Sequence, residues 1–399
     1  MNANIRHYLF LDYFLIFGII ALTGFEFFVN DATIIYFILL PVSLFRFIIE
    51  KKQISKWFIV FVVLLSMVFW GQQILFSLPF FPLITTIARF CTYFFIVAVV
   101  YDNFSKVFVN IVYCLCIISL FFYTLINISD SAYNFLLNIS NGITPLNLQS
   151  ESLQFDSNPG NNIIIYKIQI YNLERNSGPF WEPGQFAVFI NIALALSIII
   201  NNKLFNAKNV IFIITSISTL SITSIVATLF ILFYYFAFIN RKIYSMVLLL
   251  ILLLSVKPIY DMPFISEKVE LYDNISDQAS SRFGSHRLHF KQIQESPVVG
   301  HGFNAERNSD MILGEKQVSP NGLTKIFVFW GIPFAIIFYI LYFKFSLIST
   351  NGNKKQSILL FITMLIVVFS QTDTLRHLYY LFAMFPLART KQYKDKITS

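Results

Sequence analysis

Long apolar runs alternate with short polar gaps along nearly all of the 399-residue chain. The runs fall at 8–23, 32–49, 57–78, 83–101, 107–126, 183–200, 210–220, 222–239, 243–256, 323–343, 357–370 and 378–387. As helices, most are long enough, or nearly so, to cross a hydrocarbon core of about 30 Å. Two long polar stretches interrupt them, 127–182 and 257–322. Irregular backbone facing lipid would leave its N–H and C=O groups unpaired, so both stretches belong at or outside a membrane face. The pattern predicts an all-α polytopic membrane protein: a single integral domain over 1–399, with about twelve transmembrane helices and two long extracytoplasmic loops.

Lysine and arginine decide the orientation. With the first residues cytoplasmic, the inside connections carry Arg6, Lys51, Lys52, Lys56, Lys106, Lys203, Lys208, Arg241, Lys242, Lys354 and Lys355, and then Arg389, Lys391, Lys394 and Lys396. The short outside connections carry almost none apart from Arg376. That asymmetry follows the positive-inside rule and puts both termini inside and both long loops outside. Reading 210–239 as one tilted helix would place the two loops on opposite faces and Lys354-Lys355 outside, so two spans are expected there. The first run lacks a small-residue cleavage site and reads as a span, not a leader.

Local patterns divide the loops further. The apolar patch at 133–137 suits a short amphipathic helix in the interface. Asn158-Pro159-Gly160 marks a turn, and 163–170 has the look of a strand. In the second loop a helix is expected over 285–295, with Arg287 and Lys291 one turn apart on one face.

Composition supports the membrane reading: 56% of residues are apolar and only 13% charged, against roughly 25% charged in soluble domains. The net charge of +8 lies mainly in the gaps between runs, as orientation signals do, and implies no nucleic-acid partner. Cys91, Cys114 and Cys116 all fall in apolar runs, so neither a disulfide framework nor a metal site is expected.

The candidate chemistry is concentrated in the loops. Prolines and glycines in Gly178-Pro179-Phe180-Trp181-Glu182-Pro183-Gly184 hold Glu182 at the mouth of the following span, where a helix dipole favours a carboxylate. A plain N-terminal acid beside an interfacial tryptophan would explain the same residues. The second loop adds Arg282, His286, Arg287, His289 and His301. Planar guanidinium groups suit pyrophosphate through paired, charge-assisted hydrogen bonds, and histidine can take a proton from an attacking hydroxyl. Arg307, Lys316 and His289 read as solvated loop residues. The histidine spacings match no familiar zinc set. Among the spans, Arg89, and Arg376 with His377 at an outer end, are ionisable groups near membrane depth and so functional candidates, though Arg89 would also suit snorkelling to the interface.

Taken together, these residues carry a resemblance. Arg175 with Gly178 to Gly184, then Leu220-Ser221-Ile222-Thr223-Ser224, then Arg287 and Phe290 followed by Pro297, Gly300 and Gly302, and finally Asn321 with Gly331-Ile332 resemble the O-antigen polymerase and O-antigen ligase superfamily over roughly Arg175 to Phe343. The resemblance implies a metal-independent inverting glycosyltransferase of the membrane-embedded C type, acting on the outer face of the bacterial plasma membrane. Its donor would be a glycan on undecaprenyl pyrophosphate. Arg175 and Arg287 would hold the pyrophosphate, with Arg282, Arg89 and Asn321 as further binding residues. Two positions depart from the family. Family members often have Ser-Arg where this chain has Ser224-Ile225, and ligases commonly have His-Asn where it has Pro320-Asn321. The second departure leaves Glu182, His286 and His301 to compete for the base and favours a polymerase.

The expected function is thus a repeat-unit polysaccharide polymerase whose donor and acceptor are both lipid-linked, with membrane lipid around it, no cofactor, and room for a chain-length regulator protein as partner. The rivals are a ligase for the finished chain, a flippase or transporter for lipid-linked sugars, and a non-enzymatic membrane scaffold. Transporters often show repeated halves and midplane charges, whereas here the polar chemistry sits in two loops. The topology is testable with single cysteines at Gln154 and Gln317 in a background without the three native ones. An impermeant thiol reagent should label both in intact cells, and protection of either would refute the arrangement.

Overall fold

The computed structural model describes residues 3–25, 28, 32–78, 80–143, 162–168, 175–239, 284–302, 310–312, 315–317, 321–369, 371 and 376–389. They hold thirteen α-helices and a two-stranded antiparallel ribbon. The first six helices are α1 (Ala3–Gly24), α2 (Ala32–Ile49), α3 (Lys56–Phe76), α4 (Phe81–Val100), α5 (Phe104–Ile128) and α6 (Asp130–Ile143). Next come α7 (Pro183–Asn201), α8 (Ala207–Ser218), α9 (Ile222–Tyr234) and α10 (Gly284–Glu295). The ribbon strands β1 (Asp310–Ile312) and β2 (Glu315–Gln317) precede α11 (Gly322–Ser349), α12 (Lys354–Val368) and α13 (His377–Ala388).

Among the described residues, six helices are long and apolar enough to cross a membrane: α3, α4, α5, α7, α11, and α9 with the π-helical turn that carries it to Ile239. Four shorter apolar stretches lie in α1, α2, α8 and α13. This is a multi-pass membrane protein. Every predicted run except 243–256, which lies outside the described residues, coincides with a helix. The expected loop helices are α6 and α10. Residues 210–239 do form two helices: the chain reverses at Leu220 (φ 46°), and Ser216 faces both Ser224 and Thr228 across the hairpin.

α7 lies innermost, buried from Gln185 to Ile198 and packed against α5, α8, α9 and α12. With little hydrophobic drive between helices in lipid, small residues and interhelical hydrogen bonds hold such contacts. Asn191 of α7 donates to Ser224 Oγ at 3.1 Å and accepts from Thr228 Oγ1 at 2.9 Å. At the far end of the bundle from Gly24 and Trp181, a buried ion pair joins Arg46 to Asp12. Arg46 also donates to the Val99 carbonyl, and Asn103 donates to the second Asp12 oxygen. These bonds tie α1, α2, α4 and the start of α5 together.

The sharpest local feature is a break in α11. Gly331 adopts φ 75°, ψ 167°, two residues before Pro333. A break frees backbone groups that lipid cannot satisfy, and here the segment after α10 fills the gap. His301 N–H donates to Val328 O at 2.7 Å, Gly302 N–H to Phe329 O at 3.0 Å, and Ile332 N–H to Pro297 O at 2.8 Å. Gln72 of α3 reaches in with Nε2 to both Val299 O (2.6 Å) and Phe329 O (2.9 Å). Close approach requires glycine on both sides: a Cβ on Gly300 would lie 2.5 Å from Gly331 N, and one on Gly331 2.1 Å from Val298 O.

One expectation fails. Instead of a strand at 163–170, residues 162–168 make a tight reversal, with Asn162 bridged to Lys167 and Ile164 at φ 71°. Asn162 Oδ1 accepts from Ile164 N–H at 2.7 Å, the side-chain turn that asparagine favours, and it overrides the β-propensity of the isoleucines.

The break gives a stability prediction. Gly331→Ala adds a collision to a backbone strain of about 1–3 kcal/mol, whereas Gly352→Ala at φ 82° has the strain but meets nothing within 4 Å. Thermal unfolding in detergent should show a much larger loss for Gly331→Ala, and equal losses would mean that the 297–302 segment does not brace α11.

Candidate active site

Phe180 anchors the end of the first loop. It is fully buried, with its ring 5.2 Å from Phe25, 5.0 Å from Phe186 and 4.7 Å from Phe189. Gly24 leaves the room, since a Cβ there would lie 2.3 Å from the Phe180 ring. Trp181 is then fixed from three directions. Its N–H donates to Gly24 O at 3.3 Å, its carbonyl accepts from Lys167 Nζ at 2.9 Å, and the Arg376 guanidinium lies 3.9 Å from its ring centroid. Such a stack contributes about 0.5–2 kcal/mol.

Glu182 follows at the N-cap of α7, extended at φ −147°, ψ 156°, and its side chain makes no capping bond. Its carboxylate instead accepts from Gln371 Nε2 at 2.5 Å. Gly184 makes room for that amide, because a Cβ there would lie 2.6 Å from it. No lysine or arginine among the described residues closes on Glu182. The glutamate is therefore held by a contact from the α12–α13 connection that local helix capping does not require.

Gln371 also leads to the second loop. Its carbonyl lies where a Cβ on Gly322 would stand 2.2 Å away, at the start of α11. There α10 docks as a two-rung ladder, since positions three apart share a helix face. Asn321 Nδ2 lies 2.8 Å from His286 Nε2 and 3.3 Å from Nδ1, and His289 Nδ1 lies 2.6 Å from Thr324 Oγ1. Asn321 Oδ1 accepts from Leu323 and Thr324 N–H, so the amide also caps α11. The His286 ring packs 5.6 Å from Phe369. Burial lowers the His286 pKa below its ordinary value. His289 is pushed down to about 3, first by burial and then by the positive Lys325 and His286.

Three cationic side chains lie near these groups. Arg89 and Arg376 both act electrostatically on His377, whose Nδ1 lies 2.6 Å from Tyr93 Oη. Lys325, in the first turn of α11, is 7% exposed. Among the described residues, no three His, Cys, Asp or Glu side chains converge as a metal site would require.

Gln371 links Glu182 to the start of α11, where Asn321 meets His286, and Arg89 and Arg376 both lie near His377. Arg175 lies at the tip of the α8–α9 hairpin, donating from Nε to Thr219 O at 3.1 Å. His301 sits in the brace of α11, fully buried, donating from Nε2 to Gln292 O at 2.8 Å and packed 5.4 Å from Phe76. Arg287 lies on α10 next to His286, and Arg282 lies outside the described residues. Sequence reasoning missed Lys167 and Gln371, polar residues with no motif around them. It also read His289 as solvated, whereas it is fully buried against α11. Its spacing of three from His286 was the available signal. Compared with known families, characterised proteins and solved structures, the chain matches none.

The buried imidazole predicts an acid-sensitive fold. The folded pKa of His289 is lowered, from 6.5 to about 3, so below pH 6.5 the unfolded chain takes up a proton that the folded one refuses. Its contribution is complete above pH 6.5 and falls by about 1.4 kcal/mol per pH unit as pH drops towards 3. Melting temperatures in detergent should fall between pH 7.5 and 5.5, and His289→Gln should flatten that fall. An unchanged slope in the variant would assign the sensitivity elsewhere.

Proposed function

We propose that the protein is a polysaccharide polymerase of the bacterial plasma membrane, with both termini cytoplasmic and the mouth facing outward. It moves a growing glycan from undecaprenyl pyrophosphate onto a sugar hydroxyl of the next lipid-linked repeat unit. The observation that carries this reading is that Gln371 joins Glu182 to the start of α11, where Asn321 meets His286, with Arg376 stacked on Trp181 beside Glu182 and Lys325 beside His289. A carboxylate or imidazole can take the proton of the attacking hydroxyl. Guanidinium and ammonium groups stabilise the departing pyrophosphate, an effect often worth about 10²–10³ in rate per donor. The resemblance drawn from the motifs supports the same chemistry and adds Arg175 and Arg287 as pyrophosphate ligands, with inversion at the anomeric carbon, and Arg282 joins them as a further arginine of the second loop. A ligase would use identical chemistry on a different acceptor. Proline at position 320, where ligases commonly carry histidine, favours the polymerase.

Deleting the gene and sizing the surface glycan separates the readings. A polymerase loss leaves single capped units, a ligase loss leaves uncapped lipid-linked chains, and a flippase loss traps units inside. In lipid nanodiscs the purified protein should turn lipid-pyrophosphate repeat units into a ladder of lengths. Arg287→Lys should be nearly as damaging as Arg287→Ala, because lysine keeps the charge and loses the fork. Full activity in the lysine variant would remove the clamp from the mechanism.

A further inference from the structure

The mouth holds two groups able to act as base, and the hydrogen bonds around them divide the work. Asn321 cannot rotate freely, because its Oδ1 accepts from the N–H groups of Leu323 and Thr324. The amide orientation is therefore set by the helix cap, and Nδ2, a donor only, faces the His286 ring. The nearer ring nitrogen is Nε2, at 2.8 Å against 3.3 Å for Nδ1. A donor opposite Nε2 requires a lone pair there, which leaves the proton on Nδ1. Phe369 packs beside the same ring and limits its rotation. Glu182, also met by one amide donor, differs in that a carboxylate keeps further acceptor sites open when one is taken. It is half-buried, does not cap its own helix, and receives one amide hydrogen from Gln371 at Oε1.

We propose that Asn321 is a positioning residue that locks His286 as an Nδ1–H donor toward the leaving pyrophosphate, leaving Glu182 as the base. This rests on the polymerase reading. In the step, the acceptor hydroxyl gives its proton to the Glu182 carboxylate while its oxygen bonds to the anomeric carbon of the donor. The bond from that carbon to the phosphate oxygen breaks, and its electron pair leaves with the lipid pyrophosphate. His286 donates a hydrogen bond to the anion without transferring its proton, and the protonated Glu182 then returns its proton to water. Substrate need not displace Asn321, because the lone pair the amide covers is not used.

Two measurements on the full-length protein test this, and the first does not depend on the activity. In nanodiscs with ¹⁵N-labelled histidine, the His286 signals are assigned by their loss in His286→Gln. At pH 7.5 they should show a protonated Nδ1 and a bare Nε2. Asn321→Asp, which keeps a capping oxygen but presents an acceptor, should switch the ring to Nε2–H or to the doubly protonated form. A wild-type ring protonated on Nε2 would overturn the lock whether or not polymer is made. The second measurement is glycan synthesis by variants that melt as the wild type does. Glu182→Gln should lose about 10²-fold or more, and His286→Leu, which removes a donor, about 10²-fold. His286→Gln keeps an N–H and should retain far more activity than His286→Leu. Equal loss in both His286 variants, with Glu182→Gln active, would make His286 the base. A wild type with the expected tautomer that forms no polymer would instead count against the polymerase reading.

Discussion

A transmembrane helix that breaks must find partners for every backbone group the break exposes, because lipid offers none. In α11 that requirement is met by the chain itself. Residues 297–302 lie against the break at Gly331 and exchange hydrogen bonds with it in both directions, from His301 and Gly302 to Val328 and Phe329, and from Ile332 back to Pro297. Gln72 of α3 adds a second bond to the Phe329 carbonyl and one to that of Val299. The consequence reaches well beyond α11. Because α10 ends at Glu295, fixing the segment that follows it also fixes the height and rotation at which α10 meets the first turn of α11. The His286–Asn321 and His289–Thr324 contacts depend on that height.

The other half of the mouth is set by a different device, an aromatic anchor. Phe180 sits among Phe25, Phe186 and Phe189, so the residues that follow it emerge at a defined point between α1 and α7. Lys167, Gly24 and Arg376 then hold Trp181, and Gln371 holds Glu182. Lys167 and Gln371 are tolerated at this depth because each meets another polar group. At the far end of the bundle, Asp12 and Arg46 show the same economy in a setting with no candidate chemistry nearby. A buried charge in this protein is therefore not by itself a sign of function. What separates the region of Glu182 is that, among the described residues, arginine and lysine lie near it while none closes an ion pair with its carboxylate.

The helices were legible from the sequence, for a physical reason: hydropathy over some twenty residues is a strong signal. The turn at Thr219-Leu220-Ser221 was also readable, since a single helix over 210–239 conflicted with the placement of Lys354 and Lys355. The motifs themselves were visible, but what they do to one another was not. Gly300 and Gly331 are each explained by the other, and no local rule connects two glycines so far apart in the chain. Lys167 and Gln371 have no pattern around them at all, and they matter only because the fold carries them to Trp181 and Glu182. The reversal at 162–168 was misread because asparagine side-chain chemistry outweighs the strand preference of three isoleucines.

Glycine and asparagine at the motifs thus serve geometry first, and chemistry follows from it. Asn321 makes the point most fully. As a helix cap it would be interchangeable with serine, threonine or aspartate, which satisfy the same N–H groups. Beside His286 it is not interchangeable, because only an amide both accepts at the helix end and donates on its other side. Aspartate would accept on both sides and call for a proton on the facing ring nitrogen, whereas serine is too short to do both at once. One side chain therefore couples the first turn of α11 to the proton on a histidine of α10. The brace at Gly331 keeps those two helices in the register that lets the coupling operate.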